Sequence, residues 1–101
     1  MAYLLKQTIS QSTLNDFCIK NHIKKLSVFG SAVNGTLTSE SDIDLLVEFE
    51  LNHTPGLFSI VRMEIELTNM LGRKADLRTF EDLSPYFRDE VAKNAELQYQ
   101  S

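Results

Sequence analysis

The segment that most constrains this chain runs from Gly30 to Val47, GSAVNGTLTSESDIDLLV, directly after the apolar run Leu26-Ser27-Val28-Phe29. That run reads as a short buried strand ended by Gly30, and Ser31 to Ser41 is a polar stretch rich in Gly, Ser and Thr. Ile43, Leu45, Val47 and Phe49 then alternate with other residues at the period of a second strand. Residues two apart on a strand point to one face, so Asp42 and Asp44 project together while Ile43, Leu45 and Val47 face the core. Two like charges about 4 Å apart at an effective dielectric near 20 repel by roughly 4 kcal/mol. At the head of an otherwise apolar strand that arrangement is costly without a cation, and Mg²⁺ commonly bridges one or two carboxylates to substrate phosphates. Taken alone, the Asp-x-Asp pair fits a solvated strand end equally well, since exposed aspartate is common.

The remaining pattern predicts helices packed on a small sheet. From Ser10 or Ser12, either of which can cap a helix, Leu14, Phe17 and Cys18 recur at helical spacing. A second helix is expected with Thr54 as cap, Pro55 in the first turn, Gly72 past its end, and a stripe through Leu57, Ile60, Val61, Leu67 and Leu71. A third strand is expected over Lys74 to Thr79, and Ser84-Pro85 opens a last helix with Phe87, Val91 and Ala95 on one face. The order helix, strand, strand, helix, strand, helix predicts an α/β (α+β) fold, a small mixed sheet with helices against it.

The 101 residues suit one domain over 1–101, and a chain this short buries a modest share of its surface, so a partner chain is expected to help. Cys18 is the sole cysteine, which excludes an internal disulfide and a cysteine-built zinc site and fits a reducing, cytoplasmic setting. The N-terminal MAYLLKQTIS lacks the apolar stretch of a signal peptide, and no segment approaches a membrane span. The net charge is −4, and only Lys24-Lys25 and Arg73-Lys74 are adjacent basic pairs, which argues against direct nucleic-acid binding. It leaves room for a small anionic substrate carried in with a divalent metal, because the metal supplies the positive charge. His22 and His53 are far apart in sequence and read as surface histidines, and Met63 and Met70 read as helix packing.

Glycine directly after a strand lets the backbone approach a ligand, and a helix beginning at Ser31 would offer free N–H groups to a phosphate. Gly30 and Gly35 have the spacing of a P-loop, but Thr36 and Leu37 stand where that loop needs Lys and Ser/Thr, so the P-loop is excluded. Gly30-Ser31, then about ten residues, then Ser41-Asp42-Ile43-Asp44-Leu45 on a strand resembles the signature of the polymerase-β-like nucleotidyltransferases. The short chain and the wording S-D-I-D-L-L-V are most similar to the minimal nucleotidyltransferases, the MNT group. The element order matches along nearly the whole chain, whereas the specific motif covers Gly30 to Val47.

The resemblance implies a third carboxylate from a later strand, and the matching position is Asp76, out of phase with Ala75 and Leu77. It further implies two Mg²⁺ ions among Asp42, Asp44, Asp76 and the triphosphate of ATP, with Asp76 helping to deprotonate the attacking hydroxyl. The Gly30 amide and the Ser31 hydroxyl would hold the β- and γ-phosphates, with Ser41 also in the nucleotide site. The implied role is that of antitoxin to a HEPN ribonuclease toxin, silenced by transfer of AMP to one of its tyrosines, with toxin and antitoxin able to assemble together. Two other readings stay open: transfer to a small-molecule hydroxyl, and a non-catalytic antitoxin that masks its toxin. The chain departs from the family at Ala32, where an aromatic or Arg is common, and at Asn34, where an Arg is common. A cation expected near the triphosphate is thereby missing.

Overall fold

The computed structural model describes residues 5–101, and residues 1–4, where the segment read above for a leader begins, lie outside them. Among the described residues four strands form one sheet in the order β3-β2-β1-β4. These are β1 (Ile23–Phe29), β2 (Ile43–Phe49), β3 (Ala75–Arg78) and β4 (Glu96–Gln100). The helices are α1 (Gln11–Lys20), α2 (Ser31–Asn34), α3 (Leu57–Leu71) and α4 (Arg88–Asn94), with 3₁₀ turns at Leu5–Gln7 and Phe80–Asp82. β1 pairs antiparallel with both β2 and β4, whereas β2 and β3 run parallel, the pairing that a helical crossover such as α3 permits.

Strand alternation divides the sheet into two unlike faces. Leu26 and Val28 of β1 lie opposite Val47 and Leu45 of β2, and Ile43 and Leu45 lie opposite Ala75 and Leu77 of β3. All are buried, together with Leu14, Phe17 and Cys18 of α1 and Met63, Leu67 and Leu71 of α3. Burial pushes the Cys18 thiol up to about 12, so it packs as an inert apolar group. The register puts Lys25, Ser27 and Phe29, then Asp44, Leu46 and Glu48, then Asp76 and Arg78 on the other face. That face is the one available for chemistry.

β3 is an edge strand whose outward N–H groups are occupied by α3. The Ala75 N–H donates to Thr68 Oγ1 at 3.0 Å and the Leu77 N–H to Glu64 Oε2 at 2.8 Å. Side chains of the crossover helix thus satisfy donors that an edge would otherwise leave open.

Several expectations need correcting. The first strand begins at Ile23, where an antiparallel ladder to β2 recruits the polar Lys24 and Lys25 that periodicity had left out. Gly56, not Thr54, caps α3, so Pro55 precedes the helix; Leu57 is 75% exposed and Val61 is also exposed, and the buried face runs through Met63, Leu67 and Leu71. Met63 packs in the core with Met70 against it. The last helix starts at Arg88, because the Ser84 carbonyl accepts from the Phe87 and Arg88 amides in a turn, and Phe87 is 66% exposed. Beyond it lies β4, whose Glu-Leu-Gln-Tyr-Gln sequence carries little apolar signal for a strand. His22 and His53 are both exposed, yet their rings stack at 4.0 Å between centroids, brought together by the β1–β2 ladder.

Of the two candidate caps for α1, Ser10 accepts the Thr13 N–H at 3.2 Å. Ser10→Ala is therefore expected to lower stability by about 1 kcal/mol. Ser12→Ala is expected to change it by less than about 0.5 kcal/mol. Urea denaturation of the two variants measures both.

Candidate active site

The site is built around one row of residues across the open face. Phe29 of β1 pairs with Asp44 of β2, and Asp44 pairs in turn with Asp76 of β3. Adjacent strands are about 4.8 Å apart, so the parallel register places two carboxylates side by side. Burial, and then the negative charges of Asp76 and Asp42, raise the pKa of Asp44 above the ordinary carboxylate value, while Arg78 acts against the rise. Lys74 Nζ lies 4.0 Å from Asp76 Oδ1 but is largely exposed, so it offsets little of this charge.

Gly30 is required here for two reasons. It caps α2 with φ 69° and ψ −137°, a backbone that side chains with a Cβ rarely adopt. A Cβ at this position would also stand 2.5 Å from Asp44 Oδ2. The backbone of the β1–α2 turn is pressed against the carboxylate, and only hydrogen fits between them.

The other expected residues are placed as follows. Ser31 begins α2 and is half-buried, and its carbonyl accepts the Thr36 N–H at 3.2 Å. Asp42 stands just ahead of β2, not on it, exposed and without a side-chain hydrogen bond among the described residues. Ser41 Oγ accepts the Thr38 N–H at 2.9 Å and lies 3.0 Å from Thr38 Oγ1, so its hydroxyl closes the loop that carries Asp42. As they stand, no three His, Cys, Asp or Glu side chains among the described residues converge enough to hold a metal ion. Asp44 and Asp76 form the pair, and the exposed Asp42 carboxylate acts on Asp44 through its charge. The donor set, all carboxylate oxygen, suits a hard divalent cation, which would relieve the like-charge crowding at Asp44.

The two departures from the family pattern also resolve differently. Ala32 is 3% exposed and its side chain belongs to the core. Asn34 lines a cavity of about 350 Å³ with Phe29, Gly30, Val33 and, from α4, Glu90, Val91 and Asn94.

Two arginines escaped the sequence reading. Arg73 Nη1 donates to the Thr38 carbonyl at 3.1 Å and the Ser41 carbonyl at 3.4 Å, clamping the acidic loop from the end of α3. Nothing local in the sequence signals that long-range bond. Arg78 shares the open face with Asp76 two residues away and acts electrostatically on Asp44, with no ion pair of its own among the described residues. Strand alternation over Asp76-Leu77-Arg78 would have found it.

Because folding raises the Asp44 pKa, the folded chain binds more protons than the unfolded one between the two values. This group's contribution is thus most favourable at acid pH and is lost as pH rises through the raised value. Asp44→Asn is expected to be more stable than the parent at pH 7, with the advantage vanishing below the ordinary carboxylate range. Gly30→Ala is expected to cost about 1–3 kcal/mol through backbone strain alone. Urea denaturation across pH reads both.

The model of the nucleotidyltransferase domain family matches residues 11–97. A Methanocaldococcus jannaschii protein named "putative protein adenylyltransferase" is 34% identical over 77 residues, 76% of this chain and 81% of that protein. A solved "putative minimal nucleotidyltransferase" superposes with a TM-score of 0.71 at 29% identity over 94% of both chains. The complex of a tri-AMPylated Shewanella oneidensis HEPN toxin with an MNT antitoxin contains a chain of the same fold, with a TM-score of 0.66 at 16% identity over 94% of this chain and 73% of that one. No helix among the described residues is long and apolar enough to cross a membrane. With residues 11–97 matched and the fold shared with a solved minimal member, this chain belongs to the nucleotidyltransferase domain family.

Proposed function

We propose that this chain is a Mg²⁺-dependent protein adenylyltransferase that moves AMP from ATP to a tyrosine hydroxyl of a HEPN ribonuclease toxin, and so acts as its cytoplasmic antitoxin. The observation that carries the reading is the Asp44–Asp76 pair across β2 and β3, with the Gly30 backbone pressed against Asp44. Relatives named as protein adenylyltransferases and the AMPylated toxin complex support the acceptor class.

Asp42, Asp44 and Asp76 would hold the metal, whose charge, when bound, neutralises the triphosphate and polarises the α-phosphate. The Gly30 amide and Ser31 hydroxyl hold the β- and γ-phosphates, which keeps the leaving group on the β1–α2 side. Asp76 accepts the proton of the acceptor hydroxyl. The hydroxyl oxygen bonds to the α-phosphorus, the bond from that phosphorus to the bridging oxygen breaks, and pyrophosphate departs. Arg78 supplies on this face the cation that positions 32 and 34 lack. Thr38 and Ser41, gripped by Arg73, fix the loop that brings Asp42 to the site.

A small molar fraction of this chain, with ATP and Mg²⁺, is expected to inactivate a large excess of the toxin, which then stays inactive and is heavier by one or more AMP units. Asp44→Asn abolishes the effect, and Arg78→Ala raises the KM for ATP. Titration of ribonuclease activity with and without ATP decides the matter. Inhibition that appears only near equal molar amounts, ignores ATP and survives Asp44→Asn would identify a masking protein.

A further inference from the structure

The outer face of α3 runs against the usual pattern. A helix that packs one side on a sheet normally shows polar residues on the other. Here Leu57, Phe58, Val61 and Ile65 are all exposed on one helix, Phe58 at 84%. Elsewhere among the described residues, exposed large apolar side chains stand singly or in pairs along the chain. Toward the C-terminal half of the helix, Val61, Glu64, Ile65, Thr68 and Asn69 line an open cavity of about 260 Å³ with Lys74 and Ala75. Glu64 and Thr68 already accept the β3 amides, and Val61, Ile65 and Ala75 supply apolar wall. A cavity of about 150 Å³ is enough to hold a benzene ring. One helix thus carries a projecting aromatic ring and, farther along, a recess of the size to take one.

We propose that α3 receives α3 of a second copy of this chain, antiparallel, about a two-fold axis at the level of Met63. A closed two-fold contact must be self-complementary, so that if residue i touches j, then j touches i. An axis at Met63 sets Val61 against Ile65 of the second copy, and Phe58 against Thr68 of the second copy. Phe58 and Thr68 each stand about 7.5 Å along the helix from that axis, at a rise of about 1.5 Å per residue. Each Phe58 ring therefore enters the cavity of the other copy. Arg62 has no ion pair of its own among the described residues, and it comes to the same flank as Glu66 of the second copy. At roughly 100–150 Å² for each exposed side chain, the four from each copy bury about 1,000 Å² in total. That reaches the size of a specific interface, about 1,000 Å². Pairing through the β3 edge is closed, because its outward amides are already donated, so a second copy on this side must be met by the helix. α3 lies on the core side of the sheet, so the carboxylate face stays open and the inference stands apart from the transfer reading.

Sedimentation velocity of the full chain, from about 5 to about 500 μM, is expected to show the mass doubling as concentration rises. Phe58→Ala removes the ring and Asn69→Trp fills the cavity, and each should weaken the dimer about tenfold or more. Both side chains are exposed, so the circular dichroism of each variant should match the parent. Cysteine pairing reads the register. Under oxidation, a Val61→Cys chain mixed with an Ile65→Cys chain should link into mixed dimers more readily than either chain alone, with the buried Cys18 taking no part. A chain that stays monomeric across the range, a dimer that either variant leaves unchanged, or linking no greater in the mixture would overturn the assignment. So would a monomer whose Phe58→Ala variant loses the HEPN toxin, which would give the strip to that partner instead.

Discussion

The parallel register of β2 and β3 is the constraint on which the rest of the site depends. It sets Asp44 beside Asp76 and, in the same stroke, Ile43 beside Ala75 and Leu45 beside Leu77. A slip of β3 by one residue would turn Asp76 into the core and Leu77 into water. The hydrophobic effect that seats the leucines therefore also holds Asp44 and Asp76 on neighbouring positions of one face. Burying the leucines stabilises the fold by a few kcal/mol, the same order as the repulsion between the carboxylates, which solvent and Arg78 further reduce. Charge crowding at Asp44 is tolerated because the register cannot relax without losing the core.

The same division explains the economy of so small a domain. One face of the sheet carries nearly the whole core, under α1 and α3, and the other carries the ionisable groups beside Ser27, Phe29 and Leu46. The two faces are joined at Gly30, where β1 ends and the backbone turns back onto Asp44. α2 contributes Ala32 to the core from this turn, so a four-residue helix secures the loop and leaves its first residue, Ser31, half-buried at the site. The acidic loop is held from a distance by Arg73, at the junction of α3 and β3.

What could be read from sequence was what depends on local periodicity. Alternation from Ile43 to Phe49 placed Asp44 on the polar face, and Ala75-Asp76-Leu77 placed Asp76 there, with the glycine after Phe29 marking a close approach. Asp42 was legible only in part, since it precedes the strand on which alternation had set it. Features that rest on distant partners were not legible. The strand at Glu96–Gln100 is made by antiparallel pairing with β1 and has little apolar content of its own. The His22–His53 stack joins two residues that the β1–β2 ladder brings together across a chain segment of ordinary composition. Thr54 has good capping chemistry, but the chain is still extended at Gly56, so the helix starts later and Leu57 faces water. Arg73 and Arg78 acquire their meaning only from what stands opposite them.

The capping of β3 by its own crossover helix has a consequence for how copies of this chain can meet other molecules. With the outward N–H groups of Ala75 and Leu77 already donated to Thr68 and Glu64, the sheet offers no ready docking line for a foreign strand on that side. Growth of the sheet by strand addition is closed off beside the carboxylates, and a neighbour there must be recognised through side chains and shape. A chain with so short an edge strand is thereby protected from having that strand recruited into an aggregate, and the geometry of Asp76 stays independent of whatever crowds the edge.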